Sequence, residues 1–354
     1  MPLNDRLSNR DNNLNLIRAV AAVAVLVSHA WPIALGPGTD EPLERLLGHS
    51  LGHLAVLVFF AASGYLIAAS FAGRRSLSAF LLARAARLLP GLGVSVVLVA
   101  LVLGPAVTSL PLPAYLTAAE TWGFILRNVT LLKVQFTLPG VFDTNPYPSV
   151  EGSIWTLLYE VACYAGVVVV GLAGLLARRG AGTVALALWL GLTILHDVLG
   201  MATFHQLDQL MPLSQPFALG MLAFLWRHRL PVGTLPVLAA GAMAALSRGT
   251  VAYEFLLVLA VSWATLALAV APSGLLRHYN RLGDYSYGLY IYAFPLQGLV
   301  IWLWGPMSPL QNIALALPLS LACAVPSWHL IERPALRAAR ARAATLRAKA
   351  GTPA

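Results

Sequence analysis

The apolar runs of this chain are too long and too many for the core of a soluble fold. About ten stretches of roughly 20 residues carry few or no charges, at 14–35, 50–71, 88–108, 154–176, 181–199, 211–227, 231–247, 251–271, 285–304 and 311–332. A helix of about 20 residues rises about 30 Å, the thickness of a bilayer's hydrocarbon core. Only helices and closed barrels satisfy every backbone polar group in that medium, and runs of this length specify helices. The expected fold class is all-α: a polytopic membrane helical bundle of about ten transmembrane spans, with both termini cytoplasmic. The spans would occupy residues 1–336, followed by a basic cytoplasmic tail at 337–354. The fifth to seventh runs are short or marked by Gly and Pro, so their limits are soft. Segment 115–136 is amphipathic and belongs on the outer surface or in a re-entrant piece. Charged residues are 10% of the chain, against about 25% in soluble domains, which leaves no room for a large soluble domain. The first run exceeds the roughly 7–15 apolar residues of a signal peptide and reads as a retained span.

The charges agree with this layout. With the N-terminus inside and the loops alternating, Arg6, Arg10, Arg18, Arg74, Arg75, Arg84, Arg87, Arg178, Arg179, Arg227, Arg229, Arg277 and Arg281 fall on the cytoplasmic side. The tail adds Arg333, Arg337, Arg340, Arg342, Arg347 and Lys349, so 19 of the 23 basic residues lie inside. Only Arg45, Arg127, Lys133 and Arg248 lie outside. Such a bias follows the positive-inside rule. The net charge of +9 is therefore a matter of topology and lipid headgroups, and argues against a nucleic-acid partner.

Ionisable residues inside spans are costly and usually functional. Arg18 and His29 sit eleven positions apart in LNLIRAVAAVAVLVSHAWPIAL. Eleven steps of about 100° return to within about 20°, so both lie on one stripe, about 16 Å apart along the axis. Arg18 is near enough to the helix start to snorkel; His29 lies well inside. Glu160, in GSIWTLLYEVACY, is the carboxylate placed deep in a later span, about as far from the outer surface as His29. A carboxylate that orients an imidazole leaves the other nitrogen as a base for a hydroxyl. A purely structural His–Glu bond between two helices is the alternative.

Arg84 and Arg87 are one helical turn apart in RRSLSAFLLARAARLLPG. Guanidinium forks suit phosphate, although cytoplasmic loops carry arginines in any case. Ser63 and Gly64 in SGYLIAAS fall mid-membrane, where small residues admit a neighbouring helix or a ligand chain. A nucleophilic Ser63 lacks a base beside it in sequence. His49 and His53 have helical ligand spacing but no HExxH context, and no metal is expected. Cys163 and Cys323 are isolated in apolar runs and read as packing residues. Buried Arg, His and Glu also serve proton relays, so a transporter or flippase for a lipid-linked sugar or related solute is the rival class.

Several segments together resemble the acyltransferase-3 family of bacterial membrane O-acyltransferases. They are the Arg–ten residues–His pattern of Arg18 and His29, FFAASGYLIAAS, FLLARAARLLP, EGSIWTLLYEVACY, FALGMLAF, LGDYSYGLYIYAFPLQ and HLIERPAL, in family order from residue 14 to about 337. The resemblance implies a multi-pass protein of the bacterial inner membrane. It would move an acyl group, most often acetyl, from acyl-CoA to a hydroxyl of a glycan or glycolipid. It casts His29 as the catalytic histidine and general base, with Arg18 its partner in stabilising negative charge. Glu160 would support the catalytic centre, Arg84 and Arg87 would take the CoA phosphates, and Ser63 and Gly64 would line the acyl path. A covalent acyl-enzyme relay stays open. One position departs: many relatives carry His two residues before the Pro of the SYGLY segment, where this chain has Ala293. The chain resembles the stand-alone form of the family, without an appended esterase-like domain.

Overall fold

The computed structural model describes Leu7 and residues 12–73, 76–272 and 274–349. Arg6, Arg10, Arg74 and Arg75 of the expected cytoplasmic set lie outside the described residues, as do residues 350–354 and the side chains of Arg347 and Lys349. The principal helices are α1 (Leu14–Leu35), α2 (Leu51–Ala72), α3 (Leu77–Val107), α4 (Ala119–Thr130), α5 (Trp155–Leu172), α6 (Arg179–Leu199), α7 (His205–Leu225), α8 (Thr234–Leu246), α9 (Tyr253–Val270), α10 (Ser286–Trp304) and α11 (Pro309–Thr345). Among the described residues the only strand-like pairing is an isolated bridge between Thr108 and Val141.

Every expected span coincides with a helix. Of these, seven among the described residues, α1, α2, α3, α5, α6, α9 and α11, are long and apolar enough by themselves to cross a membrane. The other three fall short for separate reasons. With 13 residues, α8 reaches only about 20 Å. α7 carries Pro212 and Pro216 inside it and opens on the polar residues His205, Gln206, Asp208 and Gln209. The third, α10, carries Pro295, Gln297 and three tyrosines, and most of its side chains are buried. Two helices also run past their apolar stretches: α3 starts eleven residues before position 88, and α11 continues into the arginine-rich segment as far as Thr345. Arg and Ala are good helix formers, so a charged turn extends a helix that hydropathy alone would stop.

The chain forms two compact units, each discontinuous in sequence. One holds the described residues of Met1–Arg18, Leu54–Leu77 and Tyr159–Gly283; the other holds those of Ala19–His53, Ser78–Leu158 and Asp284–Ala354. In the first unit, α7 packs against α6 and α9, and α8 against α9. The crossing of α2 with α7 brings backbones into contact. A methyl group added at Gly64 would lie 2.0 Å from the carbonyl oxygen of Phe217, and one at Gly220 would lie 2.3 Å from that of Ala61.

In the second unit, α10 packs against α11. Ser308 and Gln311 form a capping box that starts α11, with Pro309 in its first turn. One turn of α3, Val99–Leu103, widens to a π-helix. Such a turn leaves carbonyls unsatisfied, and the Tyr115 hydroxyl donates to that of Ala100 at 2.7 Å. Gly104 gives the phenol room, since a Cβ there would lie 2.0 Å from its oxygen. The loop from Leu131 to Ile154 is held on the C-terminal half of α10: Asn145 Nδ2 donates to the Gly298 carbonyl at 2.9 Å. Phe142, at φ +61°, lies against Gly298, where a Cβ would come within 2.7 Å of its ring.

Candidate active site

The second unit holds His29. Its ring meets Phe294 of α10 edge to face, with centroids 5.2 Å apart and planes at 78°. Its Nδ1 is buried and has no hydrogen-bond partner among the described residues. The Phe294 ring is wedged in turn by Gly152, where a Cβ would come within 2.3 Å of it, and by Tyr147 at 6.0 Å between centroids. Thus α10 and the loop before α5 fix the wall against which the imidazole stands. Arg18 is half-buried on α1, three turns before His29.

Beside Gly152 lies a polar cluster that motif reading did not single out. Glu151 is 1% exposed. Its carboxylate accepts from the Gly152 N–H at 3.2 Å, the Ser153 N–H at 3.3 Å and the Ser153 hydroxyl at 3.1 Å. Burial pushes its pKa up to about 7 despite these donors, each of which favours the ionised form. The Tyr290 hydroxyl donates to the Ser153 carbonyl at 2.5 Å, so Thr156, 2.6 Å away, donates to Tyr290.

Arg84 and Arg87 share α3, as their spacing requires. Arg84 is half-buried, with its guanidinium carbon 6.0 Å from the Phe80 ring centroid. Arg87 is bound more tightly. It donates to Asp284 at 2.7 Å and to Glu332 at 3.4 Å, and stands 5.5 Å from the Tyr287 ring centroid. Both carboxylates have further donors: Ser286 to Asp284 at 2.5 Å and Ser327 to Glu332 at 3.0 Å. The Tyr287 hydroxyl reaches the Leu88 carbonyl at 2.7 Å. Arg87 therefore ties α3 to the start of α10 and to α11. In the same unit His49 and His53 stack on one another, with centroids 4.7 Å apart.

The first unit brings Ser63 and Glu160 together. Ser63 donates to Glu160 Oε1 at 3.2 Å, and Tyr164, one turn along α5, donates to the same oxygen at 2.5 Å. The neighbouring Gly64 is occupied by the α7 crossing described above. Among the described residues no group of three or more His, Cys, Asp or Glu is placed to hold a metal, and Cys163 and Cys323 are free thiols.

The family model described as an acyltransferase domain, Acyl_transf_3, matches residues 11–330, nearly the whole chain. The chain belongs to the acyltransferase-3 family. This acyltransferase is 28% identical over 338 residues to a protein named O-acetyl transferase from Shigella phage Sf6, covering 92% of this chain and 96% of the relative. It is also 28% identical over 398 residues to Nodulation protein 10 of Rhizobium leguminosarum bv. viciae, covering 95% and 96%. No solved structure matches it. The matched region contains every site residue named above except Glu332, which lies two residues past its end.

Of the residues that sequence reasoning passed over, Tyr164 was the most legible, because it stands at i+4 from Glu160 on one helix face. Asp284 and Glu332 sit inside quoted motifs but at span ends, where a charge looks ordinary. Glu151 and Phe294 also sit inside quoted motifs, but nothing local shows that one is a buried carboxyl and the other the wall beside His29.

Proposed function

We propose that this acyltransferase is a membrane O-acetyltransferase. Its donor is acetyl-CoA from the cytoplasmic side, and its acceptor is a hydroxyl of an envelope glycan or glycolipid. In this reading all ten apolar helices lie in the bacterial inner membrane and both termini are cytoplasmic. The observation that carries it is His29: a motif histidine with a buried, unpartnered Nδ1 in a chain of the acyltransferase-3 family.

His29 acts as general base. The acceptor hydroxyl gives its proton to the imidazole as its oxygen attacks the thioester carbonyl. The tetrahedral adduct then expels the CoA sulfur, which takes the proton back from the imidazolium, leaving an ester and free CoA. A positioned base contributes about 10² to 10⁴ in rate. Arg18 lies about 16 Å along α1 from His29, too far to touch the same carbonyl, and we assign it to the charged end of the donor. Arg84 takes a CoA phosphate. Arg87, already engaged by two carboxylates, holds the ground on which Arg84 stands. Glu160, held by Ser63 and Tyr164, is a fixed carboxylate on which turnover depends.

The test uses membranes containing wild type or His29→Ala at equal protein level, labelled acetyl-CoA and an envelope-glycan extract. Label entering glycan with wild type and not with the variant supports the reading. Equal labelling removes His29 from the mechanism, and no labelling in either removes the acetyl transfer itself.

A further inference from the structure

Gln297 on α10 is completely buried, and hydrogen bonding fixes which way its amide faces. The backbone carbonyl of Gln297 can only accept, so the Asn312 atom 3.0 Å from it is the amide nitrogen. Asn312 therefore presents Oδ1 to the Gln297 side chain, and the atom it meets at 3.0 Å is Nε2. The same Nε2 donates to the Leu26 carbonyl at 2.9 Å. Both amide protons are spent. Oε1 is left buried, with no hydrogen-bond partner among the described residues. An unmet acceptor in a fully buried side chain is destabilising and calls for an explanation.

The same unit holds a second unmet atom, the buried Nδ1 of His29. Leu26, which anchors Gln297, is three residues before His29 on α1. Phe294, whose ring meets the imidazole, is three residues before Gln297 on α10. Within the second unit, two open polar atoms thus leave adjoining turns of neighbouring helices.

We propose that Gln297 is a substrate-binding residue, whose Oε1 accepts a hydrogen bond from a donor group of a substrate brought to His29. That group is a hydroxyl of the acceptor or an amide N–H of the pantetheine arm of CoA. The thioester carbonyl is excluded, because it has no proton to give. The inference rests on the role proposed for His29.

The experiment measures half-saturating acetyl-CoA and half-saturating glycan extract for the full-length protein in membranes. Wild type is compared with Gln297→Met and Asn312→Leu. Gln297→Met removes the oxygen and raises one of the two constants about tenfold. A shift for the extract assigns the bond to a hydroxyl; a shift for acetyl-CoA assigns it to the pantetheine arm. Asn312→Leu breaks the clamp but leaves Oε1 in place, with Nε2 still held by the Leu26 carbonyl. It lowers the thermal midpoint and holds both constants within about threefold of wild type. The proposal is overturned if Gln297→Met changes neither constant, or if Asn312→Leu reproduces its shift. Should Gln297→Met fail to accumulate, Gln297→Asn, which draws the oxygen back by one carbon, takes its place with the same readings. A wild type that moves no label overturns the parent reading and this one together; an active wild type with unshifted variants overturns this one alone.

Discussion

Replacing Glu151 by Gln makes the protein more stable above neutral pH and removes a slope from its pH profile. The carboxyl lies in the loop ahead of α5, 1% exposed, beside two backbone N–H groups and one hydroxyl. Burial moves its pKa from the ordinary value of 4.5 to about 7. Between those values the folded protein holds a proton that the unfolded chain has released. Stability is therefore full at and below about pH 4.5, falls as the pH rises through the window, and stays low above about 7. At about 1.4 kcal/mol per pH unit, the whole window is worth on the order of 3 kcal/mol. The glutamine side chain is neutral at every pH, and its amide oxygen can still accept from the Gly152 and Ser153 N–H groups. The assay is the thermal midpoint in lipid nanodiscs from pH 5 to 8.5, read as the difference between Glu151→Gln and wild type. That difference grows with pH in favour of the variant, reaching a few degrees by pH 8. A difference that stays constant across the range refutes the argument, because it would mean that the carboxyl does not titrate on burial.

Arg87→Ala withdraws a guanidinium shared by two buried carboxylates, a loss of about 3–5 kcal/mol. Folded protein recovered in mild detergent should drop sharply, and Arg84→Ala should raise the half-saturating acetyl-CoA of the protein that is recovered. Gly64→Ala puts a methyl 2.0 Å from the Phe217 carbonyl oxygen; the strain costs about 1–3 kcal/mol and lowers the thermal midpoint, while Gly93→Ala, which meets nothing within 4 Å, does not. Glu160→Gln in membranes at matched protein level should reduce acetyl transfer by more than about tenfold, and full activity would remove Glu160 from the mechanism.

Much of this architecture could be read from the chain, and what could not has physical causes. Every apolar run became a helix because a helix alone satisfies the backbone over that length in lipid. The helices outrun the apolar runs at their ends, as in α3 and α11, where turns bearing Arg84, Arg87 and Arg333 stay helical outside the apolar stretch. The apolar signal is weakest where prolines and polar side chains lie within α7 and α10, and where α8 is short. The spacing of Arg84 and Arg87 was legible, since it depends only on the helical repeat. The carboxylates that hold Arg87 come from 197 and 245 positions away, and a single sequence carries no record of such a pairing. The same holds for Phe294 against His29 and for Gln297 against Leu26. Side chains that look like ordinary span residues acquire their roles from the helix that happens to face them.

The bond from Tyr115 to the widened turn of α3 also bears on the segment that follows that helix. Tyr115, which is fully buried, reaches the Ala100 carbonyl through the gap at Gly104, so the bond needs the widened turn in its native shape. The segment that follows α3 is therefore latched to that turn by one phenol. Tyr115→Phe keeps the ring and deletes the latch. It should raise the protease sensitivity of the 112–136 segment above that of wild type.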